Sequence, residues 1–409
     1  MRRVVVTGLG VIAPCGQTVD ELLTNLVAGR SGIGCVRGDV PTLPTTFVAG
    51  QIDFEPAAHW APNQVAQLDR ATQFALIVAA QAIGDASLEL TDEASLGTGV
   101  YWGTGLGGAT SIEESYRSLF ALGKTRVRPT SVVLAMNNAA AAQISMAHRL
   151  RGPLLNFSTA CSSSAASIGE ALRAIRDGYA EVIVAGGSEA LITYGNLLAW
   201  DAMRALAKRD VSDPSRSCKP FSADRTGLVL GEGAAALLLE SEEHARRRGA
   251  RVYAELAGYG NASDASNISR PDADGQVRAM RAALADARLD ASCIGYVNAH
   301  GTATQVGDVV ETSALKQVFG AHSARLGVSS TKALHGHLLG GAGALEMVVA
   351  IAALHHGVIP PTAHLDRPDP ACDLDYVSDG ARRVALGAVM SNSFGFGGMN
   401  SVLIARKYE

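Results

Sequence analysis

Short apolar runs alternate with stretches of helical period along almost the whole chain. Arg3–Thr7 is a β-rich run that stops at Gly8, and Asp69–Ala86 carries its apolar positions at helical spacing. Gly97–Trp102 predicts a short strand that opens into the glycine loop Gly103–Gly108. A strand over Leu154–Ser158, a helix over Ser162–Asp177 and buried strands at Glu181–Gly186 and Gly233–Glu240 continue the alternation. The second half repeats the theme, with strands at Gly295–Asn298, Arg325–Ser329 and Val389–Ser393 and a helix over Gly343–His355. This pattern predicts an α/β chain with buried sheets. No internal repeat is legible in the letters themselves.

Composition narrows the picture. The 409 residues are 47% hydrophobic and 18% charged, enough for a large core in one duplicated domain or in two or three ordinary ones. Aromatics are only 5% while glycines number 44, which suits close helix–sheet packing. A net charge of −4 gives no electrostatic case for nucleic acid. The apolar run after Met1-Arg-Arg is too short for a signal segment and reads as a first strand. No apolar stretch is expected to match the ~20 residues of a membrane span. The longest, Met347–Leu354, reads as part of a core helix. The six cysteines are scattered without a C-x-x-C pair, which argues against a disulfide framework or zinc site. Five structural thiols and one reactive thiol in a reducing cytoplasm is the expectation.

The reactive candidate is Cys161, set where an apolar strand gives way to a small-residue helix in Asn156-Phe-Ser-Thr-Ala-Cys-Ser-Ser-Ser. A helix N-terminus favours thiolate, and the serines after Cys161 could cap the first turn. Two later segments supply partners. Tyr296-Val-Asn-Ala-His-Gly-Thr-Ala-Thr ends a strand at His300. Val328-Ser-Ser-Thr-Lys-Ala-Leu-His-Gly-His offers Lys332, His335 and His337 before a Gly/Ala-rich helix. A cysteine with two histidines, each at a strand-to-loop junction, suits nucleophilic chemistry at a carbonyl.

Four ordered motifs carry a resemblance: Thr159-Ala-Cys-Ser-Ser, Asn298-Ala-His-Gly-Thr, Ser330-Thr-Lys-Ala-Leu-His-Gly-His and Asn392-Ser-Phe-Gly-Phe-Gly-Gly-Met-Asn. They resemble the active-site motifs of the β-ketoacyl-[acyl-carrier-protein] synthases, the Cys–His–His condensing enzymes of the thiolase superfamily, and among these the elongating enzymes of type II systems. Further matches from Val4-Val-Val-Thr-Gly-Leu-Gly through Gly231-Glu-Gly extend the likeness over nearly the whole chain. The resemblance implies a thiolase-like fold of two α/β halves, 1–245 and 250–409, in helix–sheet–helix–sheet–helix layers. It implies that Cys161 takes the acyl group from acyl carrier protein. His300 and His337 would stabilise the enolate formed as malonyl loses CO2, with Lys332 biasing the charge and Glu346 completing the polar network. Backbone N–H groups of Cys161 and Phe396 would form an oxyanion hole, Phe396 would gate the site, and Thr302, Thr304 and Phe394 would contact the pantetheine arm. No metal or redox cofactor is implied. The expected assembly is a homodimer, or a heterodimer with a related ketosynthase-like chain. Arg70, Arg204, Lys208, Arg209 and Arg270 are candidates for docking the acidic carrier.

Some signals mislead. Gly8-Leu-Gly-Val-Ile-Ala13 fits a dinucleotide fingerprint, but Pro14 and Gly16 would break the helix that must follow. His335 stands where the family often has a small polar residue, and its expected role is structural. Met399 stands where Thr is usual. Both departures suggest a specialised type II system, such as one making an unsaturated or aryl-capped chain.

Overall fold

The computed structural model describes residues 2–37 and 47–409. The first half contains β1 (Val4–Ile12), α1 (Arg70–Asp85), β2 (Thr98–Gly103), α2 (Ala109–Tyr116), α3 (Ala139–His148), β3 (Leu154–Phe157), α4 (Ser163–Arg176), β4 (Val182–Glu189), α5 (Tyr194–Ala202) and β5 (Gly233–Ser241). The second contains β6 (Ala254–Ser263), α6 (Ala273–Ala287), β7 (Ile294–Asn298), α7 (Gly307–Phe319), β8 (Gly327–Ser329), α8 (Ala342–His356), β9 (Ala388–Gly395) and β10 (Met399–Arg406).

These strands form one ten-stranded sheet in the order β8-β7-β9-β10-β6-β1-β5-β4-β2-β3. Counted outward from the centre, each half places its first strand, then its fifth, fourth, second and third. The duplication hidden in the letters is therefore explicit in the topology. The halves meet where β1 pairs antiparallel with β6, Val5 opposite Glu255 and Val6 opposite Ala254. The two expected sheets are thus joined at a narrow seam rather than separate. Helices α1 and α3 cover the outer face of the first half, and α6, backed by α7, covers that of the second. Helices α4 and α8 lie between them, each touching strands of both halves.

Glycine explains both the close packing and the misleading fingerprint. Gly8 and Gly10 lie inside β1, where a Cβ would come within 2.0 Å of the Ala82 carbonyl and 2.1 Å of the Val78 carbonyl of α1. Gly258 and Gly260 repeat the arrangement in β6, at 2.4 Å from Ala283 O and 2.0 Å from Ala279 O of α6. The G-x-G pair lets a helix settle onto a strand and is not a phosphate turn. Helix α1 starts where Asp69 accepts from the Ala71 N–H at 2.9 Å.

Helix α8 is buried almost all round, as its apolar composition requires. The stretch Leu339–His356, 18 residues with mean hydropathy 1.3, does reach the length and apolarity of a membrane span, contrary to expectation, yet 89% of it is buried inside the fold. Helices α4 and α8 touch through small residues. A Cβ on Gly343 would lie 2.8 Å from the Ala165 Cβ, and the Ala344 N–H donates to Ser164 Oγ at 2.9 Å. Gly343→Val should therefore force these helices apart and destabilise the protein by about 1–3 kcal/mol, the scale of overpacking a full core. Thermal unfolding measures this; an unchanged Tm would mean that the helices do not meet as closely as described.

Candidate active site

The turn after β3 is built to present a thiol. Ala160 adopts φ 53°, a left-handed conformation rare for a residue with a side chain, and places Cys161 in the short 3-10 turn Ala160–Ser162 that leads into α4. The serines act differently from expectation: Ser162 makes no cap to α4. Ser163 Oγ instead accepts from the Thr159 N–H at 2.9 Å and donates to Ala160 O at 2.7 Å, which fixes the bend itself. Cys161 is buried, and burial pushes its thiol up to about 12. The Lys332 cation and the Phe396 N–H pull it back without overcoming burial. The resting form is thus the thiol, which corrects the expectation of thiolate: removal from water outweighs the helix end.

The second half brings both histidines to this thiol. Past β7, the N–H groups of His300 and Gly301 donate to the Glu311 carboxylate at 2.9 and 2.8 Å. Past β8, the single turn Lys332–His335 leads to Gly336 at φ 73° and then His337. The His337 N–H donates to Val229 O at 2.7 Å, and His337 O accepts from the Gly231 N–H at 2.9 Å, which ties this turn to the first half. The Cys161 sulfur and one nitrogen from each imidazole lie within 4.8 Å of one another. The rings stand at 82°, with centroids 5.3 Å apart.

Protonation follows from the contacts. His337 Nδ1 accepts from the Leu339 N–H at 3.2 Å, so in the neutral ring the proton sits on Nε2. That Nε2 is buried without a partner, as is His300 Nδ1. Burial, then the Lys332 cation, holds both imidazoles well below the usual histidine range. Lys332 is fully buried and paired with Glu346, whose carboxyl is pushed upward by burial and pulled back by that lysine. The site therefore holds a thiol, two neutral imidazoles and a buried ion pair. A soft ion such as zinc also suits the Cys–His–His donors chemically, the one group so spaced among the described residues.

Cys161, His300 and His337 line a cavity of about 360 Å³, together with Phe394, Phe396, Thr302 and Thr304. The two threonine hydroxyls lie 3.1 Å apart. Trp200, Arg204 and Arg270 also line it, and both arginines are exposed. Lys208 and Arg209 are exposed but do not line the cavity. Arg70 departs from the expected rim: it is drawn into an ion pair with Glu232 at 2.6 Å and lies over the Phe74 ring, because that buried carboxylate needs a counter-ion. His335 is buried. Its Nδ1 bonds Gly336 O at 2.7 Å and its Nε2 contacts Thr331 Oγ1 at 3.0 Å, while burial takes its pKa down to about 3. It fastens the turn that carries His337.

Two supporting residues escaped the sequence reading. Glu311 anchors the His300 backbone and accepts from Asn392 Nδ2 at 3.1 Å. Arg225 is buried and donates to Thr304 O at 2.9 Å, Gln305 O at 2.8 Å and Asp369 at 2.6 Å, so it pins the loop that follows His300. Neither sits in a motif with a visible partner; only the charge inside a buried segment marks them.

A duplicated sheet with a buried thiol from one half and two imidazoles from the other defines a Cys–His–His site on a thiolase-like fold. The description "Beta-ketoacyl synthase, N-terminal domain" matches residues 1–245, and "Beta-ketoacyl synthase, C-terminal domain" matches residues 253–366. The chain belongs to the β-ketoacyl synthase family. It is 40% identical over 406 residues to 3-oxoacyl-[acyl-carrier-protein] synthase 2 of Coxiella burnetii, covering 98% of both chains. It is 42% identical over 408 residues to Nodulation protein E of Rhizobium meliloti, again covering 98% of both. Among solved structures it is similar to a chain of the complex described as "type II PKS acyl-carrier protein in complex with its ketosynthase bound to the hexaketide", with TM-score 0.91, 31% identity and 100% of both chains covered.

The two nearby histidines should separate cleanly. His337→Ala should slow malonyl decarboxylation about 10²-fold or more, the scale of one lost donor at a developing oxyanion. His335→Ala should slow it far less and instead cost about 1–3 kcal/mol of stability, by stranding the groups that it bonds. Decarboxylation rates and unfolding curves on both variants decide this; the reverse order of rates would show that the turn is read in the wrong register.

Proposed function

We propose that the chain catalyses decarboxylative Claisen condensation of an acyl thioester with malonyl-acyl carrier protein, giving a β-ketoacyl product two carbons longer. The observation that carries this reading is the convergence of one thiol with two neutral imidazoles, one of which has its Nε2–H fixed and unpartnered. The Cys161 sulfur attacks the acyl thioester carbonyl, a neighbouring imidazole relays the thiol proton, and the pantetheine thiol leaves protonated. The backbone N–H groups of Cys161 and Phe396 receive the developing oxyanion. Malonyl thioester then loses CO2, and the negative charge that moves onto its carbonyl oxygen meets N–H donors from His337 and His300. A neutral donor suits this step, because the charge it stabilises appears only in the transition state and enolate. The enolate carbon attacks the acyl carbon, and Cys161 leaves as thiolate and regains a proton. Every electron comes from the substrate, so this route calls for no metal or redox cofactor. Burial and the Lys332 cation keep the imidazoles neutral, Glu346 is the counter-ion of that lysine, and Thr302, Thr304 and Phe394 wall the path of the pantetheine arm.

The proposed partner is acyl carrier protein, in line with the carrier-bound structural relative. A second chain is proposed at strand β3, one of the two edges of the sheet, where Leu154 and Leu155 are exposed; Phe120, Val132 and Val133 are further exposed apolar residues of the same half. It would be a second copy or a related ketosynthase-like chain. Residues 1–245 and 250–409 are proposed as the two halves, each supplying part of the site. All six cysteines are free, in keeping with a reducing cytoplasm.

Intact-mass measurement after mixing with an acyl-carrier substrate should show one acyl adduct, and Cys161→Ala should show none. That variant should still decarboxylate malonyl thioester, because both imidazoles remain, and Cys161→Gln should do so faster as a mimic of the acylated thiol. An adduct on Cys161→Ala would remove the proposed nucleophile. Reversing the charges at the mouth tests docking: Arg204→Glu with Arg270→Glu should raise KM for carrier-bound substrate, and the effect should shrink as salt shortens the Debye length below ~8 Å. An unchanged KM at low salt would place the docking surface elsewhere.

A further inference from the structure

Phe396 lines the same cavity as the nucleophile and is 36% exposed there; its N–H pulls the Cys161 thiol downward, and a Cβ on the preceding Gly395 would lie 3.3 Å from the Cys161 N. The Phe396 ring is not free. It stacks on Trp200, with centroids 5.8 Å apart and planes 23° from parallel. Trp200 lies near the end of α5, a helix whose N-cap residue Thr193 makes no side-chain cap of its own. Glu113 of α2 takes that place: its carboxylate accepts from the Thr193 hydroxyl and from the N–H groups of Tyr194 and Gly195, both at 2.8 Å. A carboxylate there satisfies otherwise unpaired N–H groups and sits at the favourable end of the helix dipole. On its other side Phe396 is followed by Gly397 at φ 83° and Gly398 at φ 70°. A Cβ on Gly397 would meet nothing within 4 Å, while its N–H donates to Ile268 O at 2.7 Å and the Gly398 carbonyl accepts from the Asp264 N–H at 2.9 Å, so this turn is held by a few backbone bonds that must yield for the ring to move.

We propose that Trp200 is a latch that sets how often the site opens. Its indole holds Phe396 over the thiol, Glu113 holds the helix that carries the indole, and an acyl thioester reaches Cys161 only when the stack parts. Trp200 is thus a positioning residue acting through Phe396, and Glu113 one acting through Trp200. The inference rests on the reading of Phe396 as the gate of a condensing enzyme.

The test measures alkylation of Cys161 by a bulky N-alkylmaleimide, which needs no carrier protein or malonyl substrate. Failure of the latch is therefore distinguishable from failure of the condensation reading. Trp200→Ala should speed alkylation about 2- to 10-fold, the scale of losing one stacked aromatic pair. Trp200→Phe should restore a rate near the unaltered protein's, and Glu113→Gln should give a smaller rise. A purely structural role would slow reactions or leave them alone. An unchanged or slower rate in folded Trp200→Ala would overturn the proposal. Should that variant fail to fold, Trp200 itself reports, as one of three tryptophans. Acylation of Cys161 should change the fluorescence component that Trp200→Phe removes, and Phe396→Ala should abolish the change. A Trp200 signal indifferent to acylation would equally overturn it.

Discussion

One buried cation governs the charge of everything around it. Lys332 has no exposed surface, and an ammonium stripped of water persists only beside a counter-charge, here Glu346. After burial itself, that lysine is the leading influence that keeps His300, His335 and His337 uncharged, and it is the leading one pulling the Cys161 thiol downward. Glu346 pushes the Cys161 thiol upward, but less strongly than Lys332 pulls it down. The pair is therefore not electrostatically silent: its positive end faces the chemistry. A site so biased favours neutral donors at rest and negative charge in the reacting state.

Geometry supplies the other constraint. The thiol comes from the first half and both imidazoles from the second, so the site exists only if the halves meet closely. Small residues make that possible. Gly343 faces Ala165 where α8 crosses α4, and the His337 backbone bonds to Val229 and Gly231 across the same boundary. The glycine pairs in β1 and β6 then let the outer helices close over each half. Glycine serves the site once more beyond Phe396, where Gly397 and Gly398 turn the chain at φ 83° and 70° and a Cβ on Gly398 would lie 2.6 Å from Asp264, while the Phe396 ring stacks on Trp200.

Much of this was legible in the letters. Asp69–Ala86 was bounded almost to its caps, and the strands ending near Cys161, His300 and Lys332 lie where alternation placed them. The site itself emerged because its residues stand at strand ends inside ordered motifs. What escaped has physical reasons. Strand β6 is absent from the sequence reading; its Gly258 and Gly260 weaken a strand pattern, and only the carbonyls of α6 show why they are needed. The duplication survives in strand order after the side chains have diverged. Arg70 read as a surface cation, because nothing in its neighbourhood along the chain announces Glu232. The thiol's resting state also depends on burial, a property of the whole fold that a motif does not carry.

The central claim is that the paired histidines work as neutral donors. Nitrogen-15 spectra of histidine-labelled protein, assigned with His300→Ala and His337→Ala, report the protonation of each ring directly. The account predicts that His337 remains the neutral Nε2–H tautomer, with His300 also uncharged, as pH falls well below the ordinary histidine value of ~6.5. An imidazolium signal from either ring at neutral pH would contradict it.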